Sequence, residues 1–265
     1  MSRLVVGALV VAALSCVAGA ALAEEDAVVV SEPKREAHDE VPILAYTYSA
    51  AGVSARSIGA EAYGIAQAAQ GQPSVGGGGA LVYGSPVNHL TLVGDASRDV
   101  TGRFAPSFAV IVRALGAPGR DGGALGFIAK YKVEGFAGTG GDGDFESEME
   151  GGVLVGYKYK RLHIDVNGIG GAGLSDEGEV DVEGRARVGV DLDAYLRLGL
   201  DAQGRIRAHG TETLVGGRTG DFESGLQLLG GFSHFYGSVT VGPSTTNIAN
   251  GVGVAGVVTF GATTL

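Results

Sequence analysis

Two acidic runs invite a chemical reading first. Asp142, Asp144, Glu146, Glu148 and Glu150 occupy alternate positions, and Glu179, Asp181 and Glu183 repeat the pattern after Asp176 and Glu177. Alternate residues of an extended chain share a face, so each run stacks carboxylates on one side of a strand. Such rows attract cations, repel anions and can hold a divalent ion. A solvated rim, partly neutralised by bases, is the alternative, and "GGDGD" departs from the repeat of calcium-binding β-rolls. Bases share the same alternation: Lys130, Lys132, Arg185, Arg187, Arg197, Arg205 and Arg207.

Other constellations carry less. Gly168, Gly170 and Gly173 have the G-x-G-x-x-G spacing, with Asp191 about 20 residues on, but "SDEGEVDVEG" stands where a nucleotide-binding helix must begin. Those glycines are better read as room for bulky neighbours or for sheet curl. There is no Gly-x-Ser-x-Gly elbow, adjacent Ser233 and His234 diverge, and "GDFESG" separates Asp221 from Ser224. His38, His89, His163, His209 and His234 are scattered; His163 and Asp165 share a face but are too few for a metal site. The expectation is a chain without catalytic residues, cofactor or metal.

Composition narrows the class. With 48 glycines, 7 prolines and 45% hydrophobic residues the chain is not a disordered one, and a net charge of −10 argues against nucleic acid as a partner. Residues 1–23 read as an export signal: Arg3, a largely apolar Leu4 to Ala20, then Ala21-Leu22-Ala23. Cys16, the one cysteine, lies in this segment; "ALSC" resembles a lipoprotein cleavage box, with its leucine one position too close to the cysteine. Residues 24–52 read as a flexible periplasmic tail, with "ILAYTYSA" (43–50) either its continuation or a first strand. Residues 53–265 form the main domain.

That domain is a series of strand-like runs. Short breaks at Ser85–Asn88, Ala117–Gly122, Tyr159–Arg161, Leu192–Ala194 and Ser233–His234 alternate with longer connections: "QGQPSVGGGG", "SRDVTG", "GTGGDGD", "SDEG", "HGTETLVGGRTG" and "PSTTNIAN". A meander with tight turns at one end and loops at the other has this rhythm. The count is roughly 12 strands, within about 10–14, many longer than the usual 5–6 residues of globular strands. An even count puts both termini at the tight-turn end.

The faces differ sharply. In "EVDVEGRARVGVDLDAYLRLGLDAQGRIRA" (179–208) one face is charged and the other nearly all apolar, with parity exchanged at the turn. Elsewhere Leu125, Phe127, Ala129, Tyr131 and Val133 oppose Lys130, Lys132 and Glu134, and Val252, Val254, Val258 and Phe260 extend the uncharged band. Hydrocarbon demands such a band. Tyr83, Tyr157, Tyr159, Tyr195, Phe232, Phe235 and Tyr236 flank short turns, while Phe104, Phe145 and Phe222 lie near loops, as in two interfacial girdles. Charge complementarity predicts a register: Glu134 opposite Glu146, Lys132 opposite Glu148 and Lys130 opposite Glu150. A three-residue turn after Asp191 would likewise put Arg185 opposite Asp201, Asp181 opposite Arg205 and Glu179 opposite Arg207.

On these alternating runs and paired connections the sequence resembles the outer-membrane β-barrel proteins of Gram-negative bacteria. The resemblance implies an all-β, antiparallel, up-and-down transmembrane barrel in the cell outer membrane, in contact with its lipid and inserted by the barrel-assembly machinery. One departure is the ending "VVTFGATTL": many such barrels end in an aromatic, whereas Phe260 stands back from Leu265, so that either the signal read by the insertion machinery is missing or the last rung lies at Phe260. The functional expectation is a narrow porin-like channel for small cationic or neutral solutes. Its lumen would be lined by Lys130, Lys132, Glu146, Glu148, Glu150, Glu179, Asp181, Glu183, Arg185, Arg187, Arg197, Asp201, Arg205 and Arg207. Two alternatives stand beside it: a non-conducting structural or surface-interaction barrel, and a soluble exported barrel that binds an apolar ligand inside. Oligomeric state is open.

Overall fold

The computed structural model describes residues 43–44, 47–69, 72–87, 89–98, 103–135, 145–174, 180–208, 219–232, 234–244 and 253–264. A two-stranded hairpin, β1 (Ile43–Leu44) and β2 (Thr47–Tyr48), precedes twelve long strands. These are β3 (Ile58–Ala69), β4 (Gln72–Gly84), β5 (Leu90–Arg98), β6 (Phe104–Leu115), β7 (Gly122–Gly135) and β8 (Phe145–Tyr159), followed by β9 (Leu162–Gly173), β10 (Val180–Asp191), β11 (Leu196–Ala208), β12 (Thr219–Phe232), β13 (Phe235–Ser244) and β14 (Gly253–Thr263). Each pairs antiparallel with the next, and β14 closes on β3 from Val254↔Ala68 to Thr263↔Gly59. The twelve long strands form a closed up-and-down barrel, a sheet without edges.

Alternation decides which side of each strand faces in. Along β10 and β11, Arg187, Arg197 and Asp201 are at most 4% exposed, whereas Val180, Leu198 and Leu200 are 43%, 39% and 62% exposed. The apolar face is therefore the outer one, and an interior built from it, as the ligand-binding alternative required, is absent from these strands. Phe235, Phe260, Tyr83, Tyr157, Tyr159 and Tyr195 are exposed near the tight turns, and Phe104, Phe145 and Phe222 near the loops. Tyr236 departs from the expected girdle: it turns inward and is buried.

Three local expectations are corrected. The stretch "QGQPSVGGGG" is mostly strand, since β4 begins at Gln72. Tyr63 lies directly opposite Gly78, and a Cβ at Gly78 would come within 2.7 Å of the Tyr63 hydroxyl, so the neighbouring strand's ring fills the space those glycines leave. In the β10–β11 hairpin Asp191 pairs with Arg197 rather than Tyr195, so five residues, 192–196, lie between the paired positions instead of three, with Leu192 N–H donating to Leu196 O at 2.8 Å. The register moves by two residues, so that Arg187 faces Asp201, Glu183 faces Arg205 and Asp181 faces Arg207. Finally, the last rung lies at Thr263, beyond Phe260.

An apolar cluster fills the interior toward the tight-turn end. It comprises Ala80, Val82, Val93, Ala109, Ile111, Ile128, Leu154 and Ile169 from the wall, with Tyr48, Ala50 and Val53 from the chain before β3. Residues 47–52, expected in the tail, thus pack against the barrel's inner face.

Candidate functional site in the barrel lumen

The inward face of β7 to β11 is an ion-pair lattice. Lys130 and Glu150 face each other and bond at 3.0 Å; Lys132 meets Glu148 at 2.5 Å, Glu134 at 3.1 Å and Glu150 at 3.3 Å. The Glu134↔Glu146 rung that completes the predicted register is held from outside the hairpin by Arg103, 3.0 Å from Glu134 and 3.6 Å from Glu146. Two like charges opposite one another repel, so this cation explains why the rung is tolerated.

On β9 to β11 the partners are set by the shifted register. Arg187 donates to Asp165 at 2.5 Å, Arg197 to Asp191 at 2.6 Å, and His163 lies 2.7 Å from Asp191. His163 and Asp165 thus engage different partners instead of converging. Arg185 meets Glu183 at 2.9 Å. Asp181 and Arg205 are bonded as the sequence suggested, but diagonally, and Arg205 also reaches Glu148 at 3.5 Å. That bridge spans β9 and β10, and on β9 a side chain at Gly171 would collide with Glu148 and Asp181. A glycine in the "NGIGGAG" run therefore makes room for charged neighbours. Glu179 lies outside the described residues, as do Asp142, Asp144, Asp176, Glu177 and Ser233; Arg207 is placed by its backbone register alone.

The facing wall, β12 to β14 and β3 to β5, is built differently, and most of its polar residues escaped sequence reasoning. Glu61 accepts from the Tyr236 hydroxyl at 2.7 Å and Asp95 from the Tyr63 hydroxyl at 3.1 Å. Glu223 accepts from Gln203 at 2.9 Å and from Ser244 at 3.1 Å, and Gln67 donates to Ser244 at 2.9 Å. Ser238, Thr240, Gln227 and Thr259 complete a buried neutral surface. Alternation was the available signal: each of these residues is in phase with an inward neighbour.

Residues 47–57 cross between the walls. Thr47 Oγ1 donates to Asp201 at 2.6 Å; Tyr48 and Asn167 exchange two bonds, Tyr48 N–H to Asn167 Oδ1 at 2.7 Å and Asn167 Nδ2 to Tyr48 O at 3.0 Å. The Arg185 guanidinium sits over the Tyr48 ring, 4.8 Å from its centroid. Arg113 donates to Ala51 O at 3.1 Å, and Val53 N–H to Thr91 Oγ1 at 3.2 Å.

No family model matches the chain, and no curated protein matches it. Among solved structures it resembles the COG4313 outer membrane channel from Pseudomonas putida F1, with 12% identity over 85% of this chain and 100% of that one, at a TM-score of 0.54. It also aligns with the translocator domain of autotransporter NalP from Neisseria meningitidis, with 13% identity over 80% and 88% of the two chains and a TM-score of 0.42. The first likeness establishes the fold: this chain is built as outer-membrane β-barrels are.

Proposed function

We propose that this chain is an outer-membrane barrel acting as a narrow porin-like channel for small cationic or neutral solutes. The observation that carries the reading is the division of one closed barrel into an apolar exterior and an ionic interior. An exposed belt of Val, Leu, Phe and Tyr suits hydrocarbon, where Lys or Arg at the midplane would cost about 2–4 kcal/mol. The channel named among the similar structures supports the transport half of the reading. In this proposal residues 1–23 direct export, and the assembly machinery inserts the barrel, with outward Phe260 serving as the aromatic of the closing strand.

Cation preference follows from how the acids are held. Glu61 and Asp95 are bonded by phenol hydroxyls, donors that bring no positive charge of their own. A solute cation passing this wall meets the carboxyl of Asp95; Glu148 and Glu150, tied to Lys132 and Lys130, offer less. Purified protein that migrates differently before and after boiling, reconstituted in planar bilayers, should give cation-selective reversal potentials. Asp95→Asn should lower that selectivity; an unchanged reversal potential would remove this carboxyl from the mechanism. One observation favours a second reading, a non-conducting structural barrel: Ile111, Leu154 and Leu229 are essentially fully buried within the lumen. Folded protein silent in bilayers would support it.

A further inference from the structure

The inner segment and the wall around it are shaped for each other. Three inward wall positions that touch it are glycines on three different strands. A Cβ at Gly84 of β4 would overlap the Ser54 carbonyl, one at Gly126 of β7 would lie 3.0 Å from Ala50 O, and one at Gly156 of β8 would lie 3.3 Å from the Ala50 Cβ. The segment reciprocates. Gly52 adopts φ +62°, and any side chain there would come within 2.6 Å of Thr91 Oγ1. Ala50, between the glycines of β7 and β8, is fully buried. Bonds to β5, β6, β9 and β11 hold the inner part, and the outer end is fastened to the rim by Arg56 N–H to Gly84 O at 2.7 Å and Gly84 N–H to Ser57 O at 2.9 Å.

We propose that residues 47–57 are a built-in stopper, seated in a glycine-lined cradle at the tight-turn end of the lumen, and that their presence there sets the conductance of the channel. The inference rests on the channel reading above and adds what closes the path. Tyr48, Ala50 and Val53 complete the apolar cluster that blocks the interior, so the cluster is part wall and part removable chain. The segment runs directly into β3, and a tether this short keeps its local concentration high and the seat filled at any dilution. No covalent bond holds it. Withdrawal uncovers Asp201, Asn167, Arg185, Arg113 and Thr91, a hydrophilic path in place of an apolar one.

The test compares three forms expressed from residue 24, which excludes Cys16, each checked for a folded species by heat-modifiable gel mobility. The first is the parent chain, the second lacks residues 43–53, and the third carries Ala50→Cys with Gly156→Cys. The 3.3 Å Cβ separation of that pair lies just below the usual disulfide range of about 3.5–4.5 Å, so oxidation should join the two cysteines only when the segment is seated. The expected result is near-complete oxidation of the pair, low unitary conductance in the oxidised and parent forms, and a several-fold rise on deletion. Equal conductance of parent and deleted chains overturns the stopper and leaves the channel standing. Two silent, folded forms overturn both, because the wall's own side chains then close the lumen. If the deleted chain does not fold, the cysteine pair decides alone: folded protein that fails to form the disulfide has no seated segment.

Discussion

The wall from β7 to β11 and the wall from β12 round to β5, joined through β6, enclose one lumen but keep their polar groups in order by opposite means. On the first, acids and bases neutralise one another in a lattice in which Lys132 serves three carboxylates and Arg205 serves two. On the second, carboxylates are bonded by Tyr236, Tyr63, Gln203 and Ser244. The more charged strip is therefore the less available to a solute, because its charge is already answered within 2.5 to 3.5 Å. Charge density in the sequence marks the scaffold.

The largest effect should come from breaking the lattice at its hub. Lys132→Met leaves Glu134, Glu148 and Glu150 without their shared cation, and removing one partner of a buried ion pair typically costs about 3–5 kcal/mol. The urea midpoint of the folded form in lipid vesicles should fall accordingly. Replacing Lys132 together with Glu148 by apolar residues should recover part of that loss. A single substitution as mild as a surface change would mean the lattice is hydrated and the contrast between the walls overstated.

On the other wall the matching change is Tyr236→Phe. It deletes the hydroxyl that holds Glu61 and leaves a buried carboxylate short of a donor, at a cost of about 1.5–3 kcal/mol for a hydrogen bond to a charged group. Glu61→Gln should cost less than Tyr236→Phe, because an amide oxygen still accepts from the phenol. The reverse order would show that the carboxylate, not the bond, carries the interaction.

The two walls were unequally legible. Pairing by charge complementarity placed Lys130 and Lys132 against Glu150 and Glu148 without knowledge of the intervening loop. The same reasoning failed by two residues at β10–β11, since it paired Asp191 with Tyr195 around three residues, whereas Asp191 pairs with Arg197 around five. Faces survived the error because a shift of two preserves side-chain parity, while one residue would have inverted it. Tyr236 was misread as a girdle residue although Val239 and Val241 put Phe235, not Tyr236, in phase with the exterior. The inner segment had no period to betray it: residues 49–57 form no strand, and a chain packed inside a barrel follows the shape of its cradle. Its trace lay in Gly84, Gly126 and Gly156, which in a sheet read as ordinary relief from crowding.

The smallest effect expected gives the sharpest discrimination. Gln227 and Thr240 face each other on β12 and β13, are each about 1% exposed, and make no side-chain hydrogen bond among the described residues. Had this wall been a lattice like the other, an apolar replacement would strand a partner. Here there is none to strand, so Gln227→Leu should change stability by less than about 1 kcal/mol in either direction, with gains in packing set against whatever hydration the amide keeps. The denaturant slope should stay constant, so the shift in midpoint alone reads the difference. A loss comparable to that of Lys132→Met would mean that the amide is tied into a buried polar network, and the two walls would then differ in which groups do the holding but not in how firmly they are held.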